Sequence, residues 1–182
     1  MSLSGNKIKV KHIAFAAMAV ALAIATSMIK VIKLPMGGSV TLFSMLFIVL
    51  IGYWYGIKVG LTAALAYGVL QLLLDPYILN IPQVLLDYIL GFGALGLSGV
   101  FSKSKHGLVK GYIIGVIGRF ICSFLSGWIF FAVYTPEFFN SAVLYSVVYN
   151  GSYIGLEAVV TLVVISLPSV NKALAYVKNN LV

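Results

Sequence analysis

The chain has 182 residues, 62% of them hydrophobic and 9% charged, with a formal net charge of +8. Soluble domains carry about 25% charged residues, so the composition argues against a soluble monomer and for an integral membrane protein of one domain. The basic residues gather at the ends of apolar runs instead of alternating with exposed aromatics, which sets a nucleic-acid partner aside, and the single cysteine, Cys122, excludes an internal disulfide.

Six stretches read as membrane-spanning helices of an all-α bundle, a single transmembrane domain over residues 1–182: His12–Val31, Ser39–Tyr55, Val59–Leu74, Gln83–Phe101, Leu108–Val133 and Ala142–Leu167. The first follows KIKVKH, as a signal-peptide core would. Its apolar run is too long for such a core and five more follow, so it reads as a retained helix. It is small-faced nearly all round: Ala17, Ala21 and Ala25 form one stripe, and Ala19 with Ala23 adds a neighbour. A helix that smooth can pack against another protein as well as against its own bundle. Gly52, Gly56 and Gly60 follow at four-residue spacing, as do Gly111/Gly115 and Gly151/Gly155, each allowing close approach of helix backbones. The third stretch is short for a span and is expected to tilt or join an irregular loop. Within the fourth, Gly91–Gly96 fits the dinucleotide fingerprint G-x-G-x-x-G, but no strand precedes it, so the match is chance. Neither a Walker-type loop, an H-E-x-x-H pair nor a Cys/His metal spacing occurs in the sequence.

Basic residues set the orientation. With the N-terminus inside, Lys7, Lys9, Lys11, Lys58, Lys103, Lys105, Lys110, Lys172 and Lys178 are cytoplasmic, and only Lys30 and Lys33 lie outside. Both termini are then expected in the cytoplasm. The outer loops hold Pro35, Pro76, Pro82 and Pro136 with Gly37, Gly38, Asn80 and Asn140, so they read as shaped connections.

Polar groups inside the last two spans are costly in lipid and mark a functional site or a structural lock. Descending from the outer face, Tyr145, Tyr149, Asn150 and Glu157 lie at roughly 5, 11, 12 and 23 Å, and with Tyr153 they share an arc of roughly 140°. Arg119, Ser123 and Ser126 share a face of the fifth span, with Gly127 beside it. Arg119 lies about 21 Å down, level with Glu157, so a structural ion pair between the two is expected. That leaves Asp87, beside Tyr88 and one turn after Gln83, as the unmatched acid. A lone carboxylate among tyrosines, open to the outside, suits a cationic organic solute, with ring faces adding cation–π attraction. The Asn150 amide can both donate and accept, which suits a heteroaromatic edge.

These residues resemble a known family over essentially the whole chain: the substrate-binding S components of energy-coupling factor (ECF) vitamin importers, in their thiamine-specific branch. The resemblance is carried by GGSVTLFSM (Gly37–Met45), LLDYILGFGALGLSGVF (Leu85–Phe101), GRFICSFLSGWIFF (Gly118–Phe131) and YTPEFFN…YSVVYNGSY (Tyr134–Tyr153). It implies six helices in a bacterial plasma membrane, an outward-facing thiamine pocket, no enzymatic activity, and a complex with a transmembrane coupling subunit and two ATPase subunits. It further implies a pocket of Tyr77, Asp87, Tyr88, Gly127, Tyr145 and Asn150, to which Ser123, Phe131 and Tyr149 are added by position, under a lid containing Gly37, Gly38 and Ser39. Three positions depart from the family pattern. Asp87 stands where some members have glutamate, Ser123 where a histidine is expected, and Phe131 where a tryptophan stacks, with Trp128 on another helical face. The alanine pair that docks the coupling subunit begins at Ala14, but its second member is Met18, which shifts the smooth face to Ala17 and Ala21. Remaining alternatives are an S component for another small vitamin or precursor, a stand-alone small-solute transporter, and a membrane enzyme acting on a lipid. No cofactor or metal is expected.

Overall fold

The computed structural model of the protein describes residues 10–180; Lys7 and Lys9, two of the lysines expected in the cytoplasm, lie outside them. The alanine-rich first stretch forms α1 (Val10–Ser27), alanine being the best helix former. At its end the Thr26 and Ser27 hydroxyls donate back to the carbonyls of Leu22 and Ile24, both at 2.8 Å, and the chain leaves the helix. The first span therefore stops at Ser27 and does not continue to Val31. Instead β1 (Lys30–Lys33) and β2 (Ser39–Thr41) form an antiparallel hairpin. A short 3₁₀ turn, Pro35–Gly37, joins them, with Met36 at φ 60° and Gly37 at φ 91°. The glycine meets the second left-handed position without a Cβ penalty.

The second apolar stretch yields only twelve helical residues, α2 (Ser44–Tyr55), in place of Ser39–Tyr55. That is about 18 Å of helix, short of the ~30 Å hydrocarbon core. The hairpin leads into it. Apolar on every side, α2 is the central element: Met45, Ile48, Val49 and Ile51 are almost wholly buried. Gly56, at φ 86°, makes the corner into α3 (Ile57–Leu74), a regular helix of 18 residues that runs into an irregular loop over residues 75–80, as the short third stretch led one to expect.

Irregular geometry within a helix is found in the next one, α4 (Ile81–Phe101). Its start is signed in the sequence: the Asn80 side chain accepts from the Gln83 amide at 2.9 Å and Pro82 sits in the first turn. It then widens to π turns over Leu85–Leu90 and tightens to 3₁₀ geometry over Ala94–Phe101. Glycines let α4 lie against the α2–α3 corner. A Cβ on Gly60 would come within 2.9 Å of the Gly96 carbonyl oxygen, and one on Gly99 within 2.3 Å of the Ile57 nitrogen.

Two long helices follow, α5 (Gly107–Phe130) and α6 (Ala142–Ser166). A further helix, α7 (Pro168–Asn180), opens on the proline that ends α6. It was not expected from the apolar pattern because it is polar overall. Lys178 ties it down, donating to the Ser102 carbonyl with its ammonium 3.7 Å from the centre of the Tyr53 ring. The protein is thus mostly helical. Among the described residues, four helices are long and apolar enough to cross a membrane: α3, α4, α5 and α6; α1 and α2 are shorter apolar helices.

Candidate functional site

A cavity of about 190 Å³ opens where the hairpin, the loop at residues 75–80, the first half of α4, the second half of α5 and the first half of α6 converge. It is smaller than the roughly 300–1,000 Å³ of sites for drug-sized ligands, a size for a small metabolite. Tyr77, Asp87, Tyr88, Ser123, Gly127, Phe131, Tyr145, Tyr149 and Asn150 all line it, as do Gly37, Gly38 and Ser39 of the hairpin.

One wall is the π segment of α4, which carries Asp87 and Tyr88. Inserting π turns re-aims successive side chains, a device common at functional sites. The Tyr88 hydroxyl accepts from the Tyr77 amide at 2.8 Å and donates to the Asp75 carbonyl at 3.0 Å, fixing the loop at residues 75–80. Gln83 is almost fully buried and works in two directions. Its Nε2 donates to Asp87 Oδ2 at 2.7 Å and to the Tyr77 carbonyl at 3.2 Å, while its Oε1 accepts from the Leu79 amide at 3.1 Å. Ser126 Oγ donates to the same Asp87 Oδ2 at 2.7 Å. Both bonds fall on one oxygen, and among the described residues no donor reaches Oδ1. The carboxylate is oriented, yet half of its accepting capacity is unspent.

Facing it, α6 presents Tyr145, Tyr149 and Tyr153 in a row, Tyr145 tilted against Tyr149 and Tyr149 edge-on to Tyr153, with ring centres 5.8 and 5.7 Å apart. Asn150 is already engaged: Nδ2 donates to the Ser146 carbonyl and hydroxyl at 3.0 and 3.2 Å, and Oδ1 accepts from the Tyr153 hydroxyl at 2.9 Å. A ligand edge meeting this amide would share it with Tyr153. Gly127 is required by packing, since a Cβ there would lie 2.3 Å from Ser146 Oγ and 2.9 Å from Asn150 Nδ2. Phe131 leans on Tyr77 with ring centres 5.7 Å apart, whereas Trp128 is 45% exposed and stacks along α5 on Phe124. The hairpin is the roof: the Gly38 amide donates to the Tyr149 hydroxyl at 3.0 Å, and that hydroxyl donates to the Pro35 carbonyl.

The expected Arg119–Glu157 ion pair is not formed. Glu157 is 5% exposed and accepts from the Thr41 amide (2.9 Å), the Thr41 hydroxyl (2.7 Å), the Met45 amide (3.3 Å) and the Ser44 hydroxyl (3.5 Å). Its charge is met by donors at the N-terminus of α2, where helix amides and dipole favour an anion. The β2–α2 junction packs against α6 at Glu157 and takes the carboxylate. Arg119 lines the cavity instead, its guanidinium 4.1 Å from the centre of the Phe92 ring. Among the described residues the ion pair is Lys30–Asp75, at the cavity mouth.

Several lining residues were not anticipated: Ser27 from α1, Ser44 from α2, Tyr67 and Gln71 from α3. Gln71 was detectable as an amide inside an apolar run. Away from the cavity, Ala14, Ala17, Ala21 and Ala25 of α1 are exposed, while Ala19 and Ala23 are buried against the bundle.

Comparison with known proteins agrees with the whole-chain resemblance. The family described as "Thiamine transporter protein (Thia_YuaJ)" matches residues 13–176. The thiamine transporter ThiT of Bacillus subtilis is 33% identical over 150 residues, covering 75% of this chain and 77% of that protein. ThiT of Lacticaseibacillus paracasei is 31% identical over 120 residues, 57% of this chain and 59% of its own. In fold, the chain is similar to a solved structure of ThiT from Listeria monocytogenes, with a TM-score of 0.67 at 23% identity, covering 87% of this chain and 93% of the other.

Proposed function

The chain belongs to the thiamine transporter protein family, and from that premise we propose that its cavity is a thiamine site facing the outside of a bacterial plasma membrane. The observation that carries this reading is Asp87, a carboxylate steadied on one oxygen by Gln83 and Ser126 with the other unspent, in a cavity walled by tyrosines. The fixed positive charge of the thiazolium ring meets Asp87, and the tyrosine faces of α6 add cation–π attraction. The pyrimidine edge meets Asn150 and Tyr153. Glycine at 127 and serine at 123 leave room where α5 passes the ligand.

In this reading α1 and α2 complete six crossings, with the hairpin making up the length α2 lacks, and both termini lie in the cytoplasm. The protein captures thiamine and does not itself hydrolyse ATP. Delivery inward uses an ECF-type transmembrane coupling subunit and two ATPase subunits. The exposed Ala14, Ala17 and Ala21 on α1 offer the smooth face that a helical partner needs.

The test is titration of the purified protein with thiamine, followed by intrinsic tyrosine and tryptophan fluorescence. Saturable quenching is expected, with Asp87→Asn and Asn150→Ala each raising Kd by at least about tenfold, one factor of ten being about 1.4 kcal/mol. Wild-type affinity in both variants would remove this cavity as the site.

A further inference from the structure

Among the described residues, polar contacts tie the hairpin roof to the rest of the protein at three places, and the three differ in chemistry. At its base, Thr41 gives Glu157 two hydrogen bonds of 2.9 and 2.7 Å, and the Met45 amide gives a third, all to a carboxylate that is 5% exposed. Hydrogen bonds to a buried charge are among the strongest available, and water has no access to compete for them. At its tip, the Tyr149 hydroxyl bridges Pro35 and Gly38. At its side, Lys30 of β1 pairs with Asp75, the residue that caps α3 and opens the outer loop. The Asp75 side chain is 56% exposed and that of Lys30 20%. An exposed pair of this kind is weak, and salt screens it.

Both partners of that pair also line the cavity, where they stand on opposite sides of its mouth. An unpaired Lys30 ammonium there would repel an organic cation, and an unpaired Asp75 would attract one. We infer that the Lys30–Asp75 pair is the releasable latch of the hairpin, that the hairpin pivots on its anchor to Glu157, and that a cationic ligand enters by taking the place of Lys30 at Asp75. The ligand step rests on the thiamine reading; the latch and pivot do not. The weakest, wettest attachment opens first, the tip follows, and the buried anchor holds throughout.

Hydrogen exchange of the ligand-free protein at low salt tests the latch. Lys30→Gln and Asp75→Asn should each speed exchange of the amides at residues 31–34 and 36–39 about two- to fivefold, as loss of one exposed ion pair does. The amides of Thr41 and Met45, bonded to Glu157, should not change. Wild-type protein in 0.5 M salt should behave as the variants do, which gives a readout without any substitution. The exchanged pair, Lys30→Asp with Asp75→Lys, should restore protection. Unchanged exchange in both single variants and in salt would overturn the latch, and Thr41 and Met45 opening together with the hairpin tip would overturn the pivot. Stopped-flow mixing with thiamine then tests entry: Lys30→Gln should raise association and dissociation rates together, whereas Asp75→Asn should raise dissociation but slow association. Equal association rates in the two variants would overturn the exchange at Asp75. Absence of thiamine binding to wild-type protein would sink the proposed function and leave the hydrogen-exchange result standing.

Discussion

Glu157 sits almost out of contact with solvent on a helix with no cation beside it, and four donors from the β2–α2 junction meet its charge. Replacing it by alanine would leave buried amides and hydroxyls without partners, each costing about 1–3 kcal/mol. Arg119 stands in the cavity over Phe92 and shares none of those partners. The two truncations should therefore act independently. Thermal unfolding of Arg119→Ala, Glu157→Ala and the double variant should show additive shifts, with a coupling energy within about 0.5 kcal/mol of zero. A double variant more stable than the sum of the two single losses by over about 1 kcal/mol would mean that the two charges do pair. The sequence placed both residues at one depth because helical rise is regular, and depth alone cannot say which neighbour intervenes. Asp87 was legible for a different reason: its helix, its tyrosine neighbour and Gln83 one turn earlier are all local in sequence. That Ser126 spends its hydrogen bond on Asp87 depends on how α5 packs against α4, which no local pattern states.

Among the elements, helices were read to within a few residues wherever an apolar run was long and regular, as in α5 and α6. The hairpin was missed because KVIKLPMGGSVT continues the apolar character on both sides, and hydropathy does not distinguish strand from helix over so few residues. The glycine motifs were read as one class, and the structure divides them. Gly60 lies where a Cβ would meet backbone at 2.7 and 2.9 Å, in the contact among α2, α3 and α4, whereas Gly155 of α6 has nothing within 4 Å. Backbone atoms cannot move aside as a flexible side chain can. Gly60→Ala should therefore push α3 away from both α2 and α4 and lower the unfolding temperature markedly, the usual cost of overpacking being about 1–3 kcal/mol. Gly155→Ala should be neutral or stabilise by about 0.5–1 kcal/mol, through the helix propensity of alanine. Differential scanning fluorimetry of both variants in the same detergent checks the contrast. Equal destabilisation would show that four-residue spacing, and not the contact, governs.

At the scale of the whole molecule, the cavity and the smooth face of α1 draw on different surfaces. Ala14, Ala17 and Ala21 are exposed, none of them lines the cavity, and the buried side of α1 is held by Ala19 and Ala23. A bulky side chain on the outer stripe should thus leave ligand capture intact while closing the approach to a partner helix, because close helix packing in a membrane depends on small residues. Ala17→Trp and Ala21→Trp should bind thiamine with wild-type Kd when purified. In cells that supply a coupling subunit and its ATPases, the same variants should lose most thiamine uptake and fail to co-purify with the coupling subunit. Uptake at the wild-type level would place the docking surface elsewhere. Weakened binding in the purified variants would show instead that α1 shapes the cavity, to which Ser27 at its end already contributes.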